Sequence, residues 1–224
     1  MDPAIIPGIL LMILLIFGTS GKPPVGSASS PSVALESFDD HPTLDVESVN
    51  PLDDSDYRVI YSFITQKYTR IPSGDAELIA RNLVSYGKEI KVDPKLGAAL
   101  MARESAFNKV AISSTGAKGL GQIKDFNFKS LNIENPYDIQ QNTRGTLSYI
   151  KYQLNQWKTE SKKTSLALAS YFKGYSAVSK TNKMVDSTTK NYVKDIIVNY
   201  DRLNQMKAVA MVTSSNALYS DVIR

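Results

Sequence analysis

The chain has no cysteine and a single histidine among its 224 residues. The first absence excludes disulfide scaffolds, thiolate nucleophiles and cysteine-based zinc sites, and removes the sulfur that bacterial-type lipid attachment needs. The one histidine, His41, stands in a low-complexity stretch between acidic residues and Pro42, so a Ser-His-Asp relay and a His-rich metal centre are both poorly supplied. Charge is thin as well: 26 basic against 22 acidic residues leave +4. The lysines are spread along the chain rather than packed into a run. Such a surface suits salt-sensitive contact with anionic polymers but does not make a nucleic-acid-binding helix. No alternating apolar and polar stretch of five residues stands out, and no internal repeat. No metal, cofactor or nucleic-acid partner is expected.

Long apolar runs are also scarce. The one candidate, "AIIPGILLMILLIFG", extends about 15 residues from Ala4 to Gly18. A spanning helix needs about 20, so the run suits a signal-peptide core or a short retained anchor. It lacks the usual preceding basic residues, and the retained anchor is the slightly favoured reading. Four segments follow from composition: a hydrophobic signal or anchor at 1–18, a flexible linker at 19–55, a globular domain at 56–206 and a tail at 207–224. The linker is rich in Gly, Ser, Pro and Asp and buries too little to offset its ordering entropy.

Within the globular part the apolar residues recur at helical spacing. "YRVIYSFITQKY" places Val59, Ile60, Phe63 and Ile64 on one side, and residues 75 to 90 repeat this with Leu78, Ile79, Leu83, Tyr86 and Ile90. Asp93 followed by Pro94 is a strong helix start, since Asp caps free N–H groups and proline needs none. Asp138 and Gln141 have capping-box spacing ahead of Leu147, Ile150, Leu154 and Trp157. "SLALASYF" and "TTKNYVKDIIVNYDRL" supply two further helices. The class is all-α, with room for one short β-hairpin between 108 and 118.

The chemistry concentrates in "ARESAFNKVAISSTGAKGLGQI", residues 102 to 123. Glu104 closes the helix begun by Asp93, so it faces the negative end of the helix dipole, which raises a carboxyl pKa. Ala106 and Phe107 push the same way if the site is enclosed. A glutamic acid held protonated near neutral pH can give its proton to a leaving oxygen. The plain alternative is an exposed glutamate, or one paired with Arg103 or Lys109. The next carboxylate in the chain is Asp125.

From about Val92 to Leu203 the sequence resembles the SLT-type lytic transglycosylases, relatives of goose-type lysozyme. Glu104-Ser105 matches the Glu-Ser motif that the catalytic acid opens in that family. "SSTGAKGLGQI" resembles its Ser-x-x-Gly-Ala-x-Gly-Leu-Met-Gln pattern, and "NPYDIQQNTRGTLSYI" its Asn-Pro-x-Asp helix start with the Gly and Tyr that follow. "LALASYFKG" resembles the Ala-Tyr-Asn-x-Gly motif, and "TKNYVKDII" the terminal Tyr-Val motif.

The resemblance implies a lysozyme-like α-helical domain with a groove for peptidoglycan glycan strands. It implies cleavage of the MurNAc-GlcNAc β-1,4 bond with a 1,6-anhydromuramoyl product, using Glu104 first as acid and then as base. The muramoyl C6 hydroxyl would supply the nucleophile, which is why one carboxylate suffices. Substrate binding would fall to Ser105, Ser114, Gln122, Tyr171 and Tyr192. The cell-envelope side follows as the location, with attachment to a membrane through the N-terminal segment, or a virion location if the gene belongs to a phage. Proteins of a secretion machine or a phage particle are then the candidate partners. Three positions depart from the pattern: Gly121 stands where methionine is usual, leaving that wall of the groove more open. Phe172 replaces an asparagine amide, and Tyr175 a proline. A lysozyme-type hydrolase and a non-catalytic wall-binding component are the alternatives on the same fold.

Overall fold

A computed structural model describes residues 54–222, with side chains through 212. The hydrophobic segment 1–18, almost all of the linker at 19–55, and His41 lie outside the described residues. The elements are α1 (Ser55–Lys67), α2 (Ser73–Ile90), α3 (Pro94–Glu104), α4 (Ile139–Gln156), α5 (Lys163–Lys173), α6 (Tyr175–Lys180) and α7 (Ser187–Val222). Two single 3-10 turns, Asp125–Asn127 and Lys129–Leu131, precede α4. The all-α reading holds. Instead of a hairpin, the region after α3 has two isolated antiparallel bridges, Ile112 with Lys118 and Lys118 with Ile123.

The helix starts read at Asp93 and Asp138 stand where the sequence signals put them. Asp54 caps α1 by accepting from the Asp56 and Tyr57 N–H groups, and Asp93 caps α3 by accepting from Lys95. The capping box at α4 is half formed: Asp138 accepts from the Gln141 N–H at 2.8 Å, but the Gln141 side chain turns away. Its carbonyl accepts from Glu134 and Asn135 instead, tying down the preceding loop.

α3 is the central element, and its apolar residues from Leu96 to Ala102 are buried. It packs against α2 and α7, while α4 covers α2 and α5. Gly97 permits this closeness, because a Cβ there would meet Leu147 Cδ2 at 2.7 Å and Leu83 Cδ2 at 2.8 Å. The intrinsic helical cost of glycine is about 1 kcal/mol, which burial of two leucines against the helix offsets. The predicted faces of α1 and α4 point inward, apart from a partly covered Leu154. On α2, Leu78 instead lies half exposed, and Ala76 and Ala80 complete the buried stripe with Ile79 and Leu83. A smaller cluster of Trp157, Leu166, Ala167, Ala169 and Val178 seats α5 and α6.

α7 is the longest element and runs past position 207, where Lys207 pairs with Asp56 of α1 at 2.9 Å. Its packing against α3 brings Tyr192 to the C-terminal end of that helix.

Candidate active site

Four elements meet at the C-terminal end of α3: that helix, the loop 111–123, α5 and α7. Glu104 is the last residue of α3. The chain then turns through Ala106 and Phe107, both with left-handed backbone, φ 50° and 63°. Non-glycine residues adopt this conformation at a cost, and here burial of Phe107 offsets it. Its ring is 1% exposed and meets Phe63 and Tyr68 edge-on. The apolar neighbour expected to enclose the acid therefore acts as the anchor of the turn that follows it.

Glu104 pairs with neither basic neighbour: Arg103 goes to Asp195 and Lys109 to Asp75. The Glu104 carboxyl instead accepts a hydrogen bond from the Tyr192 hydroxyl. The residue keeps some contact with the surface, yet its carboxyl is surrounded by protein. Burial pushes its pKa from 4.5 up to about 7, against the Tyr192 hydrogen bond and the Arg103 charge, which both lower it. Desolvation is thus the largest cause of the shift. Tyr192 is 2% exposed and is held well above the ordinary phenol value by burial and by the same carboxyl, so it remains a donor.

The loop 111–123 forms the wall beside the acid, and three side chains pin it. Ser105 donates to the Leu120 carbonyl at 2.8 Å, and Tyr171 to the Gly121 carbonyl at 2.7 Å. Asn142 of α4, fully buried, accepts from the Gly121 N–H at 2.9 Å and donates to the Pro136 carbonyl at 2.8 Å. Gln122 sits at φ 51° and donates its amide to the carbonyls of Gly119 and Ala111, which closes the loop on itself. Ser114 lies exposed in the turn, where the adjacent Ser113 makes the hydrogen bonds.

The structure thus gathers Glu104, Ser105, Tyr171 and Tyr192, sets Gln122 in the adjoining wall and leaves Ser114 at the turn's outer surface. The hydroxyl hydrogens of Ser105 and Tyr171 are committed to the loop, while their oxygens retain lone pairs for a ligand. Asn142 was not singled out from sequence. Its one signal was a poor helix former beside the helix start, on a face that proved buried.

Gly121 does not open the wall. A Cβ at this position would lie 1.9 Å from Thr146 Oγ1 and 2.8 Å from Cγ2, so Thr146 fills the space beside it. Restoring the family's usual residue is therefore expected to hurt. Gly121→Met should lower Tm by several degrees, the effect of about 1–3 kcal/mol of overpacking, and Thr146→Ala should recover part of it. Thermal unfolding of the two single variants and the double variant checks this. Additive losses would contradict it.

The sequence profile described as "Transglycosylase SLT domain" matches residues 82–194. Among similar curated proteins, "Membrane-bound lytic murein transglycosylase F" of Pectobacterium atrosepticum is 32% identical over 103 residues, 45% of this chain and 21% of that protein. The protein of the same name from Pseudomonas syringae pv. syringae is 28% identical over 152 residues, 66% of this chain and 30% of the relative. That from Erwinia tasmaniensis is 27% identical over 140 residues, 60% and 28% respectively. The chain thus spans under a third of the length of these relatives. The profile runs from within α2 to beyond Tyr192, taking in the acid, its tyrosine partner and the pinned loop, and the chain belongs to the Transglycosylase SLT domain family.

Proposed function

We propose that this domain is a peptidoglycan lytic transglycosylase that cleaves the MurNAc-GlcNAc β-1,4 bond, with Glu104 as its single acid and base. The observation that carries the reading is the carboxyl of Glu104, enclosed enough to titrate at about 7 and held by a neutral phenol. A group of that pKa holds a proton to give to the glycosidic oxygen and takes one back without a large penalty either way. Once that proton has passed to the leaving oxygen, the Tyr192 hydroxyl, still a donor, stabilises the carboxylate left behind.

The described side chains that lower the Glu104 pKa against burial are Tyr192 and Arg103, a phenol and a guanidinium. Two-carboxylate glycosidases place the partner about 5–10 Å away to attack the sugar or activate water. An attacking hydroxyl within the muramoyl unit would need no such partner, since an oriented intramolecular nucleophile has an effective molarity of about 10⁵ M or more. Binding roles for Ser105, Gln122, Tyr171 and Tyr192 fit their places around the acid, whereas Ser114 would touch glycan only if the strand extends over the loop turn. Action on the envelope side fits the names of the relatives. No described helix is long and apolar enough to cross a membrane, so attachment would fall to the segment 1–18.

Mass spectrometry of digested peptidoglycan tests the reading: 1,6-anhydromuramoyl ends are expected, and reducing ends alone would make the protein a hydrolase. Binding without any product would make it a wall-binding component. The rate should also carry an alkaline limb. Above pH 7 Glu104 loses the proton it must donate, so kcat/KM should fall about tenfold per pH unit. A rate unchanged from pH 6 to 9 would exclude Glu104 as the acid.

A further inference from the structure

Tyr192 reaches Glu104 through a hydroxyl at the tip of a ring, so whatever holds the ring decides where the hydroxyl sits. Phe172 of α5 lies nearly parallel on it, with ring centroids 4.4 Å apart and planes 16° from parallel. The Arg103 guanidinium also covers the Tyr192 ring, 5.4 Å from its centre, and is itself fixed by Asp195 at 3.1 Å. Behind the pair, the Lys173 ammonium stands 5.4 Å from the Phe172 ring centre and binds Asp186 at 3.2 Å. Phe172, one of the three positions that depart from the family pattern, is thus packed on the catalytic candidate's own hydrogen-bond partner.

We propose that Phe172 is a positioning residue, whose stacked ring holds the Tyr192 hydroxyl against the Glu104 carboxyl. The inference rests on the reading of Glu104 as the acid. An asparagine at 172 would offer an amide toward substrate and no ring face to Tyr192. In this chain the contact serves the acid instead of the sugar. Parallel-stacked rings at this separation favour one arrangement beyond what buried area alone gives. The tyrosine is thereby restricted at both ends, by a ring on its face and by the carboxyl at its hydroxyl.

A phenol that donates to a carboxylate favours the ionised form and opposes the effect of burial. Loosening the stack should therefore leave Glu104 protonated to higher pH. The other groups facing this carboxyl are Arg103 on α3 and Tyr171 on α5, with Asp195 and Lys173 one contact further away. Of these only Lys173 touches the Phe172 ring, and it keeps its ion pair with Asp186 when the ring is removed.

The test compares the full chain with Phe172→Leu, which keeps apolar bulk, and Phe172→Tyr, which keeps the ring. Two measurements are made on each: the pH profile of anhydro-product release, and an NMR titration of the carbon-13-labelled Glu104 carboxyl. Phe172→Leu should release product about three- to tenfold more slowly, with the alkaline limb and the carboxyl midpoint both about half a pH unit or more higher. Phe172→Tyr should return both to the parent values. A folded Phe172→Leu protein whose midpoint and limb match the parent overturns the proposal, and so does a Phe172→Tyr protein that behaves like Phe172→Leu. If the parent makes no anhydro product, the function reading fails, but the titration still decides whether the stack holds the phenol in place. Should Phe172→Leu unfold, Phe172→Met replaces it with the same two outcomes.

Discussion

Glu104→Gln is expected to abolish anhydro-product formation and, at pH 8, to make the protein more stable. Loss of one positioned acid-base group costs about 10²–10⁴ in rate, and here the same group serves both proton transfers. The amide keeps the size of the side chain and still accepts from Tyr192, so the architecture should survive. The stability effect comes from linkage. The carboxyl titrates at about 7 in the folded chain against 4.5 for the free group. Between those values the folded state holds a proton that the unfolded state has lost. Stability therefore falls as pH rises from 4.5 to 7 and stays lowered above that window.

At pH 8 the burden is up to about 3 kcal/mol, and glutamine removes it. Near pH 4, where both states are protonated, the two proteins should melt together. Thermal unfolding at pH 4 and pH 8, alongside the digestion assay, measures both effects. A variant that keeps product formation, or gains no stability at pH 8, would show that Glu104 is not a strained acid. A stability penalty maintained at the reacting group is what selection for activity leaves behind.

The second large effect is expected at a residue that never touches the acid. Asn142→Leu should destabilise the domain by about 3 kcal/mol or more and disable the site with it. Leucine matches the volume but leaves the Gly121 N–H and the Pro136 carbonyl buried without their partner, at about 1–3 kcal/mol each. Thr146 keeps its shorter hydroxyl bond, to the Asn142 backbone carbonyl at 2.7 Å, and loses only the longer one to the side-chain oxygen at 3.4 Å. The damage should thus centre on loop 111–123. Amide hydrogen exchange is the direct check: the Gly121 N–H should lose protection while those of α2 and α3 keep theirs. Asn142→Asp should be milder toward Gly121, whose N–H keeps an acceptor, and worse toward Pro136, where two acceptors then face each other. A folded Asn142→Leu protein with parental protection at Gly121 would sink this account.

Helices were legible because their causes are local. Asp93 and Asp138 satisfy N–H groups two or three residues ahead, and the apolar stripes of α1 and α4 need only the 3.6-residue period to share a face. Where a stripe could be drawn in two ways the reading slipped. Leu78 was placed inward by size, whereas the close approach of neighbouring helices gave the inner positions to Ala76 and Ala80. The Gln141 side chain obeyed the spacing of a capping box but found better donors in the incoming loop.

At the site, motif order names Glu104 and the two tyrosines as candidates, while their enclosure depends on the fold. An open groove at Gly121 followed reasonably from a missing side chain, yet Thr146, 25 positions on in the chain, occupies that space. Asn142 and Phe172 gained their roles only when α4, α5 and α7 converged on the end of α3.

Local chemistry in the chain is therefore sufficient for the helical class and for the starts of α3 and α4, while motif order names Glu104 as the candidate acid. The class and the starts depend on neighbours a few residues apart. The acid's raised pKa, the pinning of its loop and the stacking of its tyrosine depend on distances between segments up to 88 positions apart. Desolvation and packing act through space, and only folding brings those atoms within reach.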